Sequence, residues 1–481
     1  MESLDKSTVM KNAHPVRILQ FGEGNFLRAF FDWMIETANR QGVTDASIAV
    51  VSPRFKANDT IKALQKQDGM YHVCLEGIEN GEPKQTTTLV TAIADAFSPT
   101  QDPDKYIAYV TSPELRFVVS NTTEAGIVYD PSSPVSLYDT ASTFPAKITA
   151  MLYERFRHFN SDPSKGLVFL CCELIEDNGS LLKEYVLRHS RGAQLGEEFE
   201  KWVDESCHFC DTLVDRIVSG FPADSIEEIK GEIGYDDNLV VKGELYHVWA
   251  IGGEGAEIVK RELPLDKAGL NVHFLSSVKE FRDKKVRILN GSHTGMVPVA
   301  LQLGRETVVD AFRNDKVNTF VNRMVEREVL PMIDGDREEL QQFADGILER
   351  FYNPYIRHML KSIALNSLSK WETRNFPTVR AMWEREGRLA ELELFTFAAL
   401  LTLYAPDSGF ELQDNADHVK FIHDNWDSDD LRTTVSKIVE GGIFIDNFET
   451  LVPGFTDKVA EYVALIREKG MDVALSEILG I

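Results

Sequence analysis

A short apolar run, Val16 to Phe21 (VRILQF), passes directly into the turn Gly22-Glu23-Gly24-Asn25 and then into FLRAFFDWMIETANRQG. No other stretch limits the fold as much. Phe26, Phe30, Met34 and Ile35 recur at helical spacing, and Gly42 ends the run. A strand that turns on glycines into a helix points free backbone N–H groups and a helix dipole at whatever sits over the turn. That is the opening unit of a doubly wound α/β domain, where a dinucleotide pyrophosphate docks. Gly22 permits the tight turn and Gly24 lets an anion approach the backbone. Asn25, Phe26 and Arg28 follow as further candidate cofactor contacts, and Leu27 stands where the usual third glycine would fall.

The rest of the first half keeps the rhythm. Residues 48–52 (IAVVS), 115–121 (LRFVVSN) and 166–172 (GLVFLCC) are continuous apolar strands of the kind buried on both faces of a parallel sheet. Helical segments near 102–111, 139–159 and 179–192 separate them. Residues 71–76 and 86–90 flank ENGEPKQ and suggest an inserted antiparallel hairpin, and residues 246–251 (YHVWAI) form a strand before GGEG. The second strand ends Val50-Val51-Ser52-Pro53-Arg54-Phe55, with no carboxylate at its tip to take an adenosine ribose. Arg54 suits a 2′-phosphate and Asp59 reads as a helix cap, so the choice between NAD and NADP stays open. From about residue 275 amphipathic helical patterns take over. The expected organisation is therefore a Rossmann-type domain over 1–275 and a mainly α-helical substrate and catalytic domain over 276–481.

Composition bounds the partners. A formal charge of −25 repels nucleic-acid phosphates and anionic membranes, so neither is expected as a partner. The apolar run 394–405 is too short for the roughly 20 residues that span a bilayer. The polar N-terminus lacks a signal-peptide core, and five cysteines make no disulfide framework, which points to a cytoplasmic protein with reduced thiols. Cys207-His-Phe-Cys210 has CxxC spacing, but KWVDESCHFCDTLVDRIV reads as one amphipathic helix with packing cysteines. No metal ligand set is expected. The substrate is then a small molecule, on a monomer or small homo-oligomer.

Lys285-Val-Arg-Ile-Leu-Asn290-Gly-Ser-His293 carries candidate chemistry. On a regular helix Asn290 lies about 140° and His293 about 80° around the axis from Lys285, so all three can reach one cavity. A lysine can exchange a proton with an alcohol or ketone oxygen. An asparagine amide can polarise the carbonyl, and a histidine can hold a neighbouring hydroxyl.

KVRILNGSH resembles the lysine-x4-asparagine-x2-histidine signature of the polyol-specific long-chain dehydrogenases, the mannitol dehydrogenase family. Gly22, Gly24, Phe26, Arg28 and Ala29 match its GxGxFxRA opening. Cys172 to Gly179 (CELIEDNG) is similar to its CDNxxxNG segment, and Val214-Asp215-Arg216-Ile217 to its VDRI. The similarity runs from about residue 16 to at least 380. It implies NAD-linked, metal-independent ketone–alcohol chemistry with Lys285 as general acid and base. Asn178 and Asn290 would polarise the carbonyl, His293 would orient the substrate, and Asp215 would lie at the substrate site.

Two departures point to a changed substrate. Lys370 matches a family lysine, but the basic residue before it is Lys361, nine positions away rather than eight. Arg282 stands where mannitol enzymes carry a glutamate. Within the family the sequence looks most like the branch that reduces a keto-hexuronate to a hexonate, whose carboxylate needs a local cation on so acidic a chain. Arg357, Lys361, Lys370 and Arg374 offer one. Reduction of fructuronate or interconversion of fructose and mannitol are the close alternatives. A catalytically silent nucleotide-binding regulator is the alternative of another class.

Overall fold

The computed structural model describes residues 1–79, 81–122, 126–411 and 413–481. The chain divides into two compact units, one of Met1–Gly77 with Pro83–Lys279, the other of Ile78–Glu82 with Glu280–Ile481.

The first unit is built on an eight-stranded sheet. In chain order its strands are β1 (Val16–Phe21), β2 (Ser47–Val51), β5 (Ile93–Phe97), β6 (Phe117–Ser120), β7 (Val168–Cys171), β8 (His208–Asp215), β11 (Val248–Gly252) and β12 (Val272–Leu275). They lie in the order β12-β11-β8-β7-β6-β1-β2-β5. From β5 to β8 every pairing is parallel, while β11 joins β8 antiparallel. β2, β6 and β7 are buried along their whole lengths, as their unbroken apolar runs require. The chain leaves β1 toward β2 on one side and returns to β6 on the other. A crevice therefore opens at the carboxyl ends of β1 and β6, the usual ligand position in such sheets. β3 (Tyr71–Glu79) and β4 (Glu82–Val90) are neighbours in a separate four-stranded sheet with β10 (Val241–Glu244) and β9 (Val218–Gly220). Both run further into the expected turn than the sequence suggested, and Asn80 of that turn lies outside the described residues.

One sequence expectation is corrected here. The stretch around Cys207 and Cys210 is not a single amphipathic helix. The helix Glu197–Ser206 stops, and His208–Asp215 crosses the sheet as β8. The alternation that read as one face of a helix is the two faces of a strand. Both cysteines are buried free thiols, and burial pushes each up to about 12. The same strand explains a glycine. A Cβ on Gly179, at the start of the helix Asn178–Gly192, would lie 2.3 Å from the Cys210 carbonyl oxygen.

The second unit is helical. Glu391–Leu403, buried along nearly its whole length, packs against Phe455–Lys469 and Gly291–Gln302. Trp371, Phe376, Phe397, Phe448 and Phe455 form an aromatic cluster within that core. Gly179→Ala should destabilise the first unit by about 3 kcal/mol, because backbone rather than a flexible side chain blocks the new methyl. A thermal melt shows it as an early first transition; an unchanged melt would mean that β8 can move aside.

Candidate active site

At the cofactor end, Gly22 has φ +134°, and its N–H donates to the Val51 carbonyl at 3.2 Å. A Cβ there would meet the Asn121 carbonyl oxygen at 3.2 Å, so only glycine sits easily between the ends of β2 and β6. Gly24 is exposed, and a Cβ on it would find no atom within 4 Å. The backbone there is open to an incoming group. Asn25 starts the helical run, and Phe26 stacks on Phe30 at 4.9 Å. These residues fit a dinucleotide at the crevice.

Arg28 does not fit that role. It is buried, donates to the Leu239 carbonyl and to Asn25 Oδ1 at 2.5 Å each, and lies over the Tyr71 ring at 5.3 Å. Its guanidinium ties the first helix to the second sheet and is not turned to a phosphate. At the tip of β2, Arg54 is exposed. The helix cap is Asn58, not Asp59: its side chain accepts from Ile61 N at 3.0 Å. Asn58 also donates to Glu23, whose carboxyl is raised by burial.

At the carboxyl end of β7, Asn178 is buried and fully used. Its amide donates to the carbonyls of Cys171, Glu173 and Thr212 at 2.9–3.0 Å, and its oxygen accepts from Gly179 N and Thr212 N. With those hydrogens spent on backbone, Asn178 splints β7 to β8 and has none left for a substrate carbonyl. Asp177 before it adopts the left-handed conformation (φ 51°) that turns the chain into the helix. Asp215 ends β8 half-buried. Its neighbour Arg216 is buried on the Tyr246, Ala29 and Leu245 carbonyls and over Trp33 at 4.2 Å.

In the second unit Lys285 ends the helix Lys279–Lys285, and Gly291–Gln302 carries His293. Between them Val286–Asn290 forms a π-helical turn. The regular-helix angles are therefore corrected: the wider turn advances fewer degrees per residue, which brings Asn290 closer to the azimuth of Lys285. The side chains of Lys285 and Asn290 are half-buried. His293 stacks on Phe351 at 4.2 Å and meets His358 edge-on at 5.3 Å. Burial, then the neighbouring His358, Arg350 and Arg374, hold its pKa well below the ordinary value, so the ring is neutral. Its Nε2 is buried with no hydrogen-bond partner among the described residues.

A buried support underlies this turn. Asn375 Nδ2 donates to the Gly291 carbonyl at 3.1 Å and to Glu393 Oε2 at 2.8 Å. Glu393 is fully buried, and burial pushes it up to about 8. Glu328, raised by burial to about 7, accepts from Leu392 N and Glu393 N. Sequence reading missed this network. Its one signal was a charged residue, Glu393, beside the long apolar run 394–405.

Of the four expected cations, Arg357 and Lys361 are exposed. Lys370 Nζ donates to the Ile363 carbonyl at 3.0 Å. Arg374, last in the helix Ser367–Arg374, reaches Thr294 Oγ1 at 3.3 Å, one residue from His293.

Comparisons with known proteins agree with this architecture. The family model described as the mannitol dehydrogenase Rossmann domain matches residues 16–267, and that of the mannitol dehydrogenase C-terminal domain matches 277–436. The chain is 43% identical over 468 residues to an altronate oxidoreductase of Bacillus subtilis (strain 168), covering 96% of this chain and 95% of the relative. It is 40% identical over 482 residues to one of Bacteroides thetaiotaomicron, covering 98% of each. Among solved structures, a D-sorbitol dehydrogenase in substrate-free form superposes with a TM-score of 0.80 at 21% identity, over 99% of this chain and 100% of that one. A Pseudomonas fluorescens mannitol 2-dehydrogenase in ternary complex with NAD and D-mannitol gives 0.66 at 20% identity, over 97% and 95%. At that identity the two structures speak for the fold.

The buried glutamates make stability depend on pH. Folded Glu393 and Glu328 hold protons that the unfolded chain, near its ordinary 4.5, has already released. Their contribution is full below about 4.5 and is lost as pH rises through about 8. Glu393→Gln should flatten this decline in melts taken from pH 5 to 9; an unchanged slope would show that Glu393 is ionised throughout.

Proposed function

The chain belongs to the mannitol dehydrogenase family, and from that membership we propose that it interconverts tagaturonate and altronate with NAD(H). It is an oxidoreductase acting on the CH–OH groups of a polyol or sugar acid. Relatives named altronate oxidoreductase, 37–43% identical over nearly their whole lengths, support the narrower substrate. The open backbone at Gly24 and the glycine-only conformation at Gly22 support a dinucleotide at the β1–β6 crevice, where Asn25 and Phe26 would flank it. NAD supplies the hydride acceptor or donor when bound.

The chain's own residues handle the proton and the carbonyl. In reduction the Lys285 ammonium gives a proton to the oxygen that becomes the hydroxyl; in oxidation the neutral amine takes it back. Asn290 donates an amide N–H to the same oxygen and stabilises its developing negative charge. It makes no side-chain hydrogen bond among the described residues, so its amide is available. His293 Nε2 accepts from or donates to a neighbouring substrate hydroxyl. The single observation that carries this reading is the unpartnered, buried Nε2 of His293 on the same helical run as Lys285 and Asn290. Asn178 enters as the residue that fixes the end of β7, and Asp215 as a candidate substrate contact.

The test is the oxidation of NADH or NADPH, followed at 340 nm with tagaturonate, fructuronate and fructose in turn, in the presence of a chelator. Turnover confined to tagaturonate with NADH is expected. Fructuronate or fructose as the better substrate would move the chain to another branch of the family, and loss of turnover in chelator would end the metal-independent mechanism. Lys285→Ala should lose nearly all turnover while still quenching NADH fluorescence on binding. Asn290→Ala should lower kcat by about 100- to 1,000-fold; a kcat within tenfold of the parent would remove Asn290 from the role given to it.

A further inference from the structure

We propose that Arg374, with Thr294 beside it, binds the carboxylate of the substrate and sets the preference for a sugar acid over a neutral sugar. This rests on the reading of the chain as a sugar-acid dehydrogenase and names the residue that makes it one.

Arg374 is half-buried, and among the described residues no carboxylate lies within ion-pair distance of it. Among the described residues its guanidinium makes one hydrogen bond, to the Thr294 hydroxyl at 3.3 Å. Arg467 of the same unit, also partly buried, grips Asp407 through two nitrogens. A guanidinium taken partly out of water without an anion is a poor resting arrangement, and an anion from solution relieves it.

Position makes that anion a substrate. Thr294 follows His293 on the helix of the proposed catalytic residues, and the charge of Arg374 bears on the His293 ring. A hexuronate held at its carbonyl end by Lys285 and Asn290 and along its hydroxyls by His293 needs one further anchor for its charged end. The planar fork of Arg374 matches a carboxylate through two parallel hydrogen bonds. The other cations are less suited. Arg357 and Lys361 are exposed, and Lys370 Nζ is engaged with Ile363. A neutral ketose in the same place leaves the guanidinium unpaired, so the residue that favours the acid also rejects its uncharged counterpart.

The experiment is calorimetric binding of altronate and of its neutral counterpart altritol, in the presence of NAD, to the parent, Arg374→Met, Arg374→Lys and Thr294→Val. Turnover and NADH binding are measured beside it. Arg374→Met should weaken altronate binding about 30- to 1,000-fold with NADH binding intact. Arg374→Lys should fall between, and Thr294→Val should lose less. Altronate binding within threefold of the parent in Arg374→Met overturns the proposal. So does an equal loss for altronate and altritol, which marks a packing role. Should Arg374→Met fail to fold, Arg374→Lys and Thr294→Val decide, and altronate affinity unchanged in both overturns the proposal. A parent that turns over tagaturonate with a KM indifferent to Arg374 keeps the proposed function and loses this inference. A parent that binds altronate through Arg374 yet does not oxidise it does the reverse, and one that binds no sugar acid overturns both.

Discussion

Asn375 holds the carbonyl of Gly291 from behind, and the proposed chemistry of the second unit hangs on that hydrogen bond. Gly291 is where the π-helical turn gives way to the helix Gly291–Gln302. Asn290 lies immediately before it and His293 two residues after. A side-chain amide can pin a backbone carbonyl only if something pins the amide, and Glu393 does so from within the core. The support consists of buried polar groups joined through Asn375 Nδ2, while Asn375 Oδ1 finds no partner among the described residues. Such arrangements give a unique geometry more readily than they give stability. The region that positions the reacting groups is thus anchored to the most apolar helix of the unit.

Much of the fold was legible because its strands obey a simple rule. A strand buried on both faces of a parallel sheet reads as an unbroken apolar run, and β2, β6 and β7 do. β8 did not read that way. It lies nearer the sheet's margin, beside the antiparallel β11, and alternates buried with half-buried residues, so its period blurred into that of a helix. The hairpin strands were visible, but their extent was not, since the polar residues that extend β4 are solvent-facing.

The site was legible in part. Spacing brought Lys285, Asn290 and His293 onto one helical run, but spacing cannot show that a turn widens. Motif matching brought Arg28 and Asn178 forward as ligand contacts, and both spend hydrogen bonds inside the protein, Arg28 on the Leu239 carbonyl and Asn25 Oδ1 and Asn178 on backbone carbonyls. A motif records that a residue is needed, and the need can be a splint as well as a contact. The Asn375–Glu393 support joins positions far apart in the chain, with no pattern to announce it.

The π-helical turn at Val286–Asn290 also says something about how this enzyme tolerates change. Such a turn holds one residue more than an α-helix would use over the same rise. Excise Val286, the half-buried residue that opens the turn, and the backbone can relax into an ordinary helix with better hydrogen bonds. Yet every side chain before the excision would swing around the axis relative to those after it, and Lys285 would face a different neighbour. The surplus residue is a spacer that helical hydrogen bonding does not require. It resembles a shim: surplus by the count of a regular helix, and indispensable to the alignment of the parts on either side.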